Sequence, residues 1–312
     1  MLRKALAGLL FIVLFSTCAP VRARGNWADE TLDRLSTRDK IAQLIHVRMP
    51  GRFINRQSDA FKKVEKLVRE NHIGGLALFA GNVYESAILL NEFQEISKLP
   101  LLVSSDFERG AAFRIEDATS FPWTMALGAA DSEDLAYRQG LVTARESRAM
   151  GVHWIFAPVM DVNNNPDNPV INIRAFGSDP GKISRLGVAF IRGAQAGGVL
   201  ATAKHFPGHG DTNIDSHVGL PILEAGMDHL ESIEFVPFRR AIEAGVDAVM
   251  TAHIAVPQLT KNKKTPATLS HEILTGVLKN SLGFRGIVVT DSLEMDGIKK
   301  YYGNGAAAVA AI

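Results

Sequence analysis

One cysteine, Cys18, stands in the whole chain. It falls inside a short apolar segment at the start, so a mature form that sheds that segment has no thiol at all. That excludes intramolecular disulfides, a cysteine nucleophile and thiolate metal ligands, and it leaves catalysis to oxygen and nitrogen groups. A dominant charge sign is missing too, since 34 basic residues against 33 acidic give a formal net charge of +1. Without a strong field to grip nucleic acid or an anionic membrane, a neutral or mixed-charge ligand is the expected partner. No G-x-G-x-x-G follows the first apolar run and no G-x-x-x-x-G-K-[ST] occurs, so the usual nucleotide-binding signatures are lacking. What is present is apolar material for one large domain: 46% of 312 residues are hydrophobic.

The start of the chain differs from the rest. Arg3 and Lys4 precede ALAGLLFIVLFSTCAP, which is strongly apolar only from Ala5 to Phe15 and falls short of a membrane span. Val21-Arg22-Ala23 offers a small-residue cleavage site. Residues 1–24 therefore read as a signal peptide and 25–312 as one exported domain, periplasmic or secreted. Phe15-Ser16-Thr17 makes a poor lipoprotein box before Cys18, so ordinary cleavage is favoured and a lipid anchor through Cys18 is the alternative. A buried first helix fits less well with the basic start at Met1.

After Asn26 short apolar runs alternate with amphipathic ones. The apolar runs IAQLIHV, GGLALF, LLVSSDF, WIFAPVMDV, VLATAKHF, AVMTAHI and GIVVTDS begin near residues 41, 74, 101, 154, 199, 248 and 286. Segments such as SDAFKKVEKLVREN and MDHLESIEFVPFRRAIEAG between them repeat apolar residues at three and four, which is helical. Continuous apolar strands separated by helices indicate a parallel sheet covered on its outer side. Polar residues recur where successive runs end: His46 and Arg48, Asp106 and Glu108, Asp161, Lys204 and His205, His253, Asp291. A closed barrel brings such strand ends to one mouth, whereas an open sheet spreads them, so a (β/α)8 TIM-type barrel is the expected α/β fold. Only seven strand-and-helix units are counted. The chain stops at GNGAAAVAAI, which reads as the opening of another helix, so a C-terminally truncated barrel lacking its last strand is expected.

KHFPGHGDTNIDSH, residues 204–217, is the densest cluster of reactive groups. His205, His209 and His217 lack the compact H-x-x-x-H setting of a zinc helix, and no cysteine supplements them. The glycines do not open onto a helix whose amides would point at a phosphate. Asp215-Ser216-His217 suits proton transfer, because a carboxylate two residues from an imidazole fixes its tautomer. The plainer account is a loop fastened by its own hydrogen bonds, and these residues alone leave both open. In GIVVTDSLEMDGI, Asp291 follows a strand and has little structural use there, which makes it the candidate nucleophile. Glu294 and Asp296 further on have helix capping as their plain role.

Four motifs in order, SSDFERGAAFRI, INIRAFGSDP, KHFPGHGDTNIDSH and VTDSLEM, resemble glycoside hydrolase family 3, most closely its bacterial β-N-acetylglucosaminidase branch. The resemblance runs from about Ile41 to the end. It implies that Asp291 is the catalytic nucleophile, His217 the acid/base and Asp215 its partner. It further implies that Asp106, Arg114, Arg174, Lys204 and His205 contact the sugar, with His209 and Asp211 shaping the loop. It implies the family's N-terminal barrel, no cofactor and no metal. The partner would be an N-acetylglucosamine-containing oligosaccharide or muropeptide, as in peptidoglycan recycling. One departure is DFERGAAFR, which has Arg109 where the family commonly has the first glycine of D-x-E-G-G, and this puts the loop's shape and substrate preference in question.

A retaining mechanism then has Asp291 attack while protonated His217 donates to the leaving oxygen and later serves as base. The loop is expected to close over the sugar, with Gly208, Gly210 and Gly226 supplying mobility. A histidine that has given up its proton is neutral and would not repel phosphate, so phosphorolysis stays open beside hydrolysis. The competing readings are a β-glucosidase-like member of the family and a sugar-binding protein without turnover.

Overall fold

Alternating apolar and amphipathic segments produce a parallel sheet here because each buried run can bond only to a neighbouring strand once helices cover its outer face. The computed structural model describes residues 26–303 and 305–312. The expected signal segment, 1–24, and Cys18 lie outside them. Seven strands form one parallel sheet in sequential order: β1 (His46–Gly51), β2 (Gly75–Gly81), β3 (Leu102–Ser105), β4 (Trp154–Ile155), β5 (Leu200–Phe206), β6 (Ala248–Thr251) and β7 (Ile287–Thr290). Each strand pairs with the next, and the sheet curls into a partial TIM-type (β/α) barrel.

The helices are α1 (Trp27–Arg34), α2 (Thr37–Gln43), α3 (Asp59–Arg69), α4 (Val83–Ile96), α5 (Thr124–Ala130), α6 (Glu133–Ala149), α7 (Pro180–Ala196), α8 (Met227–His229), α9 (Phe235–Glu243), α10 (Pro257–Thr260), α11 (Asp296–Lys299) and α12 (Ala306–Ala311). A π-helical turn, Leu230–Glu234, joins α8 to α9. Local sequence explains their positions. Ser58 starts α3 by accepting from the Phe61 N–H at 3.3 Å. The three-and-four spacing of Phe61, Val64 and Val68 then puts all three in the core, each burial stabilising the fold by roughly 1.5–3 kcal/mol. Phe61 stacks on Phe93 of α4 with ring centres 5.3 Å apart.

Two strands differ from the sequence expectation. IAQLIHV should have opened the first strand near residue 41, yet Ile41–Gln43 end α2 and β1 starts at His46. Ser36 is the reason: its hydroxyl accepts from the Asp39 N–H at 3.1 Å and donates to the Asp39 carboxylate at 3.0 Å, which commits the following residues to helix. WIFAPVMDV pairs as a strand only at Trp154 and Ile155. Pro158 has no N–H to give, and the chain continues through single bonds, Phe156 N–H to Ser105 O at 2.9 Å and Met160 N–H to Lys204 O at 2.6 Å. That path still delivers Asp161 to the barrel mouth.

The parallel register turns every strand the same way, so Asp106 after β3, Lys204 and His205 in β5, His253 after β6 and Asp291 after β7 come out on one side. Asp291 is anchored there by its own N–H, which donates to Thr251 O at 3.0 Å.

Candidate active site

Lys204 is the hub of the mouth. Its Nζ lies 2.9 Å from Asp106 Oδ1 and 2.8 Å from Glu108 Oε1. Arg174, on the turn between β4 and α7, forks onto Glu108 with Nε–Oε2 at 2.9 Å and Nη2–Oε1 at 2.7 Å. Arg114 Nη2 donates to Asp106 Oδ2 at 3.0 Å and its guanidinium lies 3.8 Å from the Phe79 ring centre. Burial alone would raise Glu108, but Lys204 and then Arg174 hold it well below the usual carboxylate range. The same contest, won by Lys204 and Arg114, lowers Asp106. Burial would lower Lys204, yet Asp106 and Glu108 raise it, so it stays an ammonium. Two of its three donors are engaged with carboxylates.

Asp161 is fully buried and holds two histidine positions at once. Its Oδ2 accepts from His205 Nδ1 at 2.7 Å, and its Oδ1 accepts from the His209 backbone N–H at 2.7 Å. Burial opposes its charge, but the His205 and His209 contacts lower it below the ordinary aspartate value. With Nδ1–H facing the carboxylate, His205 Nε2 is the acceptor for Arg174 Nη2 at 3.3 Å. The five sequence-predicted sugar contacts thus meet in one network, with Asp106 and Arg114 still partly open at 22% side-chain exposure each.

The dyad sits on the loop after β5. His217 Nδ1 is 2.7 Å from Asp215 Oδ1, which also accepts the His217 backbone N–H at 2.8 Å. The proton therefore sits on Nδ1 between the two side chains and Nε2 is left facing outward, with the His217 side chain 59% exposed. Burial pushes Asp215 up, but the His217 backbone and side-chain bonds hold it below its ordinary value. The loop touches the segment that follows Asp291: Ser216 O accepts from Gly297 N–H at 3.0 Å and His217 O from Asp296 N–H at 3.4 Å. His253, buried and lowered by that burial, donates from Nε2 to Ser292 O at 2.8 Å, next to Asp291.

Gly208 and Gly210 were expected to give this loop mobility, and they do something else. A Cβ on Gly210 would lie 1.7 Å from Val162 O, and one on Gly208, whose φ is +132°, would lie 2.3 Å from Glu234 Oε2. Both let the loop pack against the wall behind it. Gly226 has nothing within 4 Å. Asp296 opens α11 and pairs with Lys300 at 3.1 Å.

Arg109, the departure in DFERGAAFR, turns away from the network. It donates to Ser120 Oγ at 2.7 Å and stacks 4.8 Å from the Trp123 ring centre, while Gly110 takes the φ of +92° that the turn requires. Sequence reasoning placed Glu108, Asp161 and His253 at the barrel mouth but assigned Asp161 and His253 no specific role. A carboxylate two residues after Asp106, and others ending apolar runs, were the available signals.

A family profile described as glycosyl hydrolase family 3 N terminal domain matches residues 36–312. The chain is 38% identical over 263 residues to beta-hexosaminidase A of Pseudoalteromonas piscicida, aligning 77% of itself with 44% of that protein. It is 33% identical over 280 residues to a beta-N-acetylglucosaminidase/beta-glucosidase of Cellulomonas fimi, with 87% and 48% covered. A solved glycoside hydrolase family 3 beta-N-acetylglucosaminidase from Paenibacillus sp. str. FPU-7 superposes with a TM-score of 0.82 at 42% identity, over 89% of this chain and 53% of that one. The chain spans about half the length of these relatives.

Proposed function

The chain belongs to glycosyl hydrolase family 3, whose N-terminal domain it carries over residues 36–312, and from that membership we propose that the protein is a retaining β-N-acetylglucosaminidase. It removes terminal β-linked N-acetylglucosamine from peptidoglycan- or chitin-derived fragments. The observation that carries this reading is the 2.7 Å bond between Asp215 and His217 Nδ1, on a loop that bonds to the residues after Asp291. The names of the relatives from Pseudoalteromonas piscicida and Paenibacillus point the same way.

In the first step Asp291 attacks the anomeric carbon while His217 Nε2–H protonates the departing oxygen, giving a covalent glycosyl-enzyme. In the second, neutral His217 takes a proton from water, the resulting hydroxide attacks the anomeric carbon, and Asp291 leaves. Asp215 fixes the tautomer and stabilises the imidazolium. Asp106, Arg114, Lys204, Arg174 and His205 hold the sugar hydroxyls. Export belongs to the same proposal, on the basic-then-apolar segment 1–24.

In the full-length protein, His217→Ala should lower kcat/KM on chitobiose by about 10²–10⁴. A dinitrophenyl N-acetylglucosaminide, whose leaving group needs no proton, should change by less than about threefold. Asp291→Asn should remove about 10⁴ or more on both. Undiminished chitobiose turnover by His217→Ala would overturn the acid/base assignment. A second reading, β-glucosidase activity, is favoured by the double name of the Cellulomonas fimi relative; comparing aryl N-acetylglucosaminide with aryl glucoside discriminates the two.

A further inference from the structure

His209 and Ser216 are fully buried polar residues that the mechanism above does not use. Ser216 stands between the two dyad residues, yet it points the opposite way. Its Oγ lies 2.9 Å from His209 Nε2. The other ring nitrogen of His209 lies 2.7 Å from Thr212 Oγ1, whose own proton goes to His209 O at 3.0 Å. Thr212 must therefore accept from Nδ1–H, which leaves Nε2 as a lone pair and Ser216 as the donor to it. Burial lowers His209 to about 4, so the imidazole remains neutral and this one tautomer persists at neutral pH.

The backbone of His209 is held as firmly as its ring. Its N–H donates to Asp161 Oδ1 at 2.7 Å, and its O accepts from Asn168 Nδ2 at 2.8 Å. Asp161 is the same carboxylate that orients His205 in the sugar network. A continuous path of hydrogen bonds thus runs His205–Asp161–His209–Ser216, ending between Asp215 and His217.

We infer that His209 and Ser216 are positioning residues for the acid/base, fixing the His217 imidazole relative to the bound saccharide through Asp161. This rests on His217 being the proton donor. Ser216 has one face of its peptide tied to Gly297 N–H at 3.0 Å and its hydroxyl tied to His209, so the residues on either side have little freedom to turn. Removing the hydroxyl bond frees Asp215 and His217 to rotate together, with their mutual 2.7 Å bond intact. The loss then falls on proton delivery to the leaving group, where misplacement by about 1 Å is expensive.

The test uses Ser216→Ala, which deletes a single oxygen, and His209→Phe, which keeps the ring and removes both nitrogens, each in the full-length protein. The expected result is a fall of about tenfold or more in kcat/KM on chitobiose, with less than about threefold change on the dinitrophenyl glycoside. His209→Gln, which returns an acceptor near the Nε2 position, should recover part of the loss. Equal losses on both substrates would overturn the inference, because the bond would then serve only the fold. Unchanged chitobiose turnover in Ser216→Ala, with His217→Ala still impaired, would also overturn it and leave the dyad standing. Should His217→Ala itself be unimpaired, the reading beneath the inference fails instead. If His209→Phe does not fold, Ser216→Ala decides the matter alone.

Discussion

Lys204 illustrates how a buried charge survives in a candidate site. The side chain is 2% exposed and stands between two carboxylates it alone bridges. Lys204→Met would leave Asp106 and Glu108 facing each other with only their arginines, and removing one member of such a network costs about 3–5 kcal/mol. We expect that deficit in urea unfolding at pH 8, and a smaller one at pH 5, where the two carboxyls relieve their repulsion by taking a proton. A deficit independent of pH would contradict the network as described. At this scale the sequence was readable wherever a polar residue ended an apolar run, as Asp106 and Asp291 do. The pairing of Glu108 with Arg174 was not readable, because Arg174 comes from 66 residues away and only the folded loop joins them. Glu234 was hidden for another reason: it lies within a helical pattern where a glutamate usually faces water.

At the scale of elements, the loop from Pro207 to Pro221 behaves as a fitted part. Its far end bonds to the chain after β6, Ala255 N–H to Pro221 O at 2.9 Å, and Lys300 Nζ donates to Val218 O at 2.8 Å. Gly210→Ala should therefore push the loop off Val162, lower stability by about 1–3 kcal/mol and reduce chitobiose turnover. Gly226→Ala, with open space around it, should stay within about 0.5 kcal/mol of the parent. Thermal melts and chitobiose assays of the two variants side by side make the comparison, and equal behaviour would refute the packing role of Gly210. The parallel strands and the helices covering them were legible from periodicity, and the polar residues ending successive runs favoured the barrel over an open sheet. The boundary between α2 and β1 was not, since a run such as IAQLIHV suits either state and the decision lay with Ser36, outside the run.

Across the whole molecule, Glu234 ties stability to pH. It is fully buried, and among the described residues only Asn164 Nδ2 donates to it, at 3.2 Å, while His229 Nε2 at 3.5 Å is too far to bond. Burial first, and then the Asp161 carboxylate, push it up to about 8 from an ordinary 4.5. Between those values the folded chain keeps a proton that the unfolded chain has released. Its contribution is therefore complete below about 4.5 and drains away as pH climbs through about 8, at most about 1.4 kcal/mol per pH unit. Glu234→Gln should remove that slope, so the stability difference between variant and parent should move steadily in the variant's favour from pH 5 to pH 8 in denaturant titrations. A difference that stays constant would mean that the carboxyl ionises in the folded protein. The mouth itself carries the opposite lesson about charge. Arg114, Lys204 and Arg174 stand against Asp106, Glu108 and Asp161 in one connected set, so these six charges offset one another and little of their field leaks outward. On the proposed function, a saccharide would find this opening by random encounter and shape, which would make capture indifferent to how salty the surroundings are.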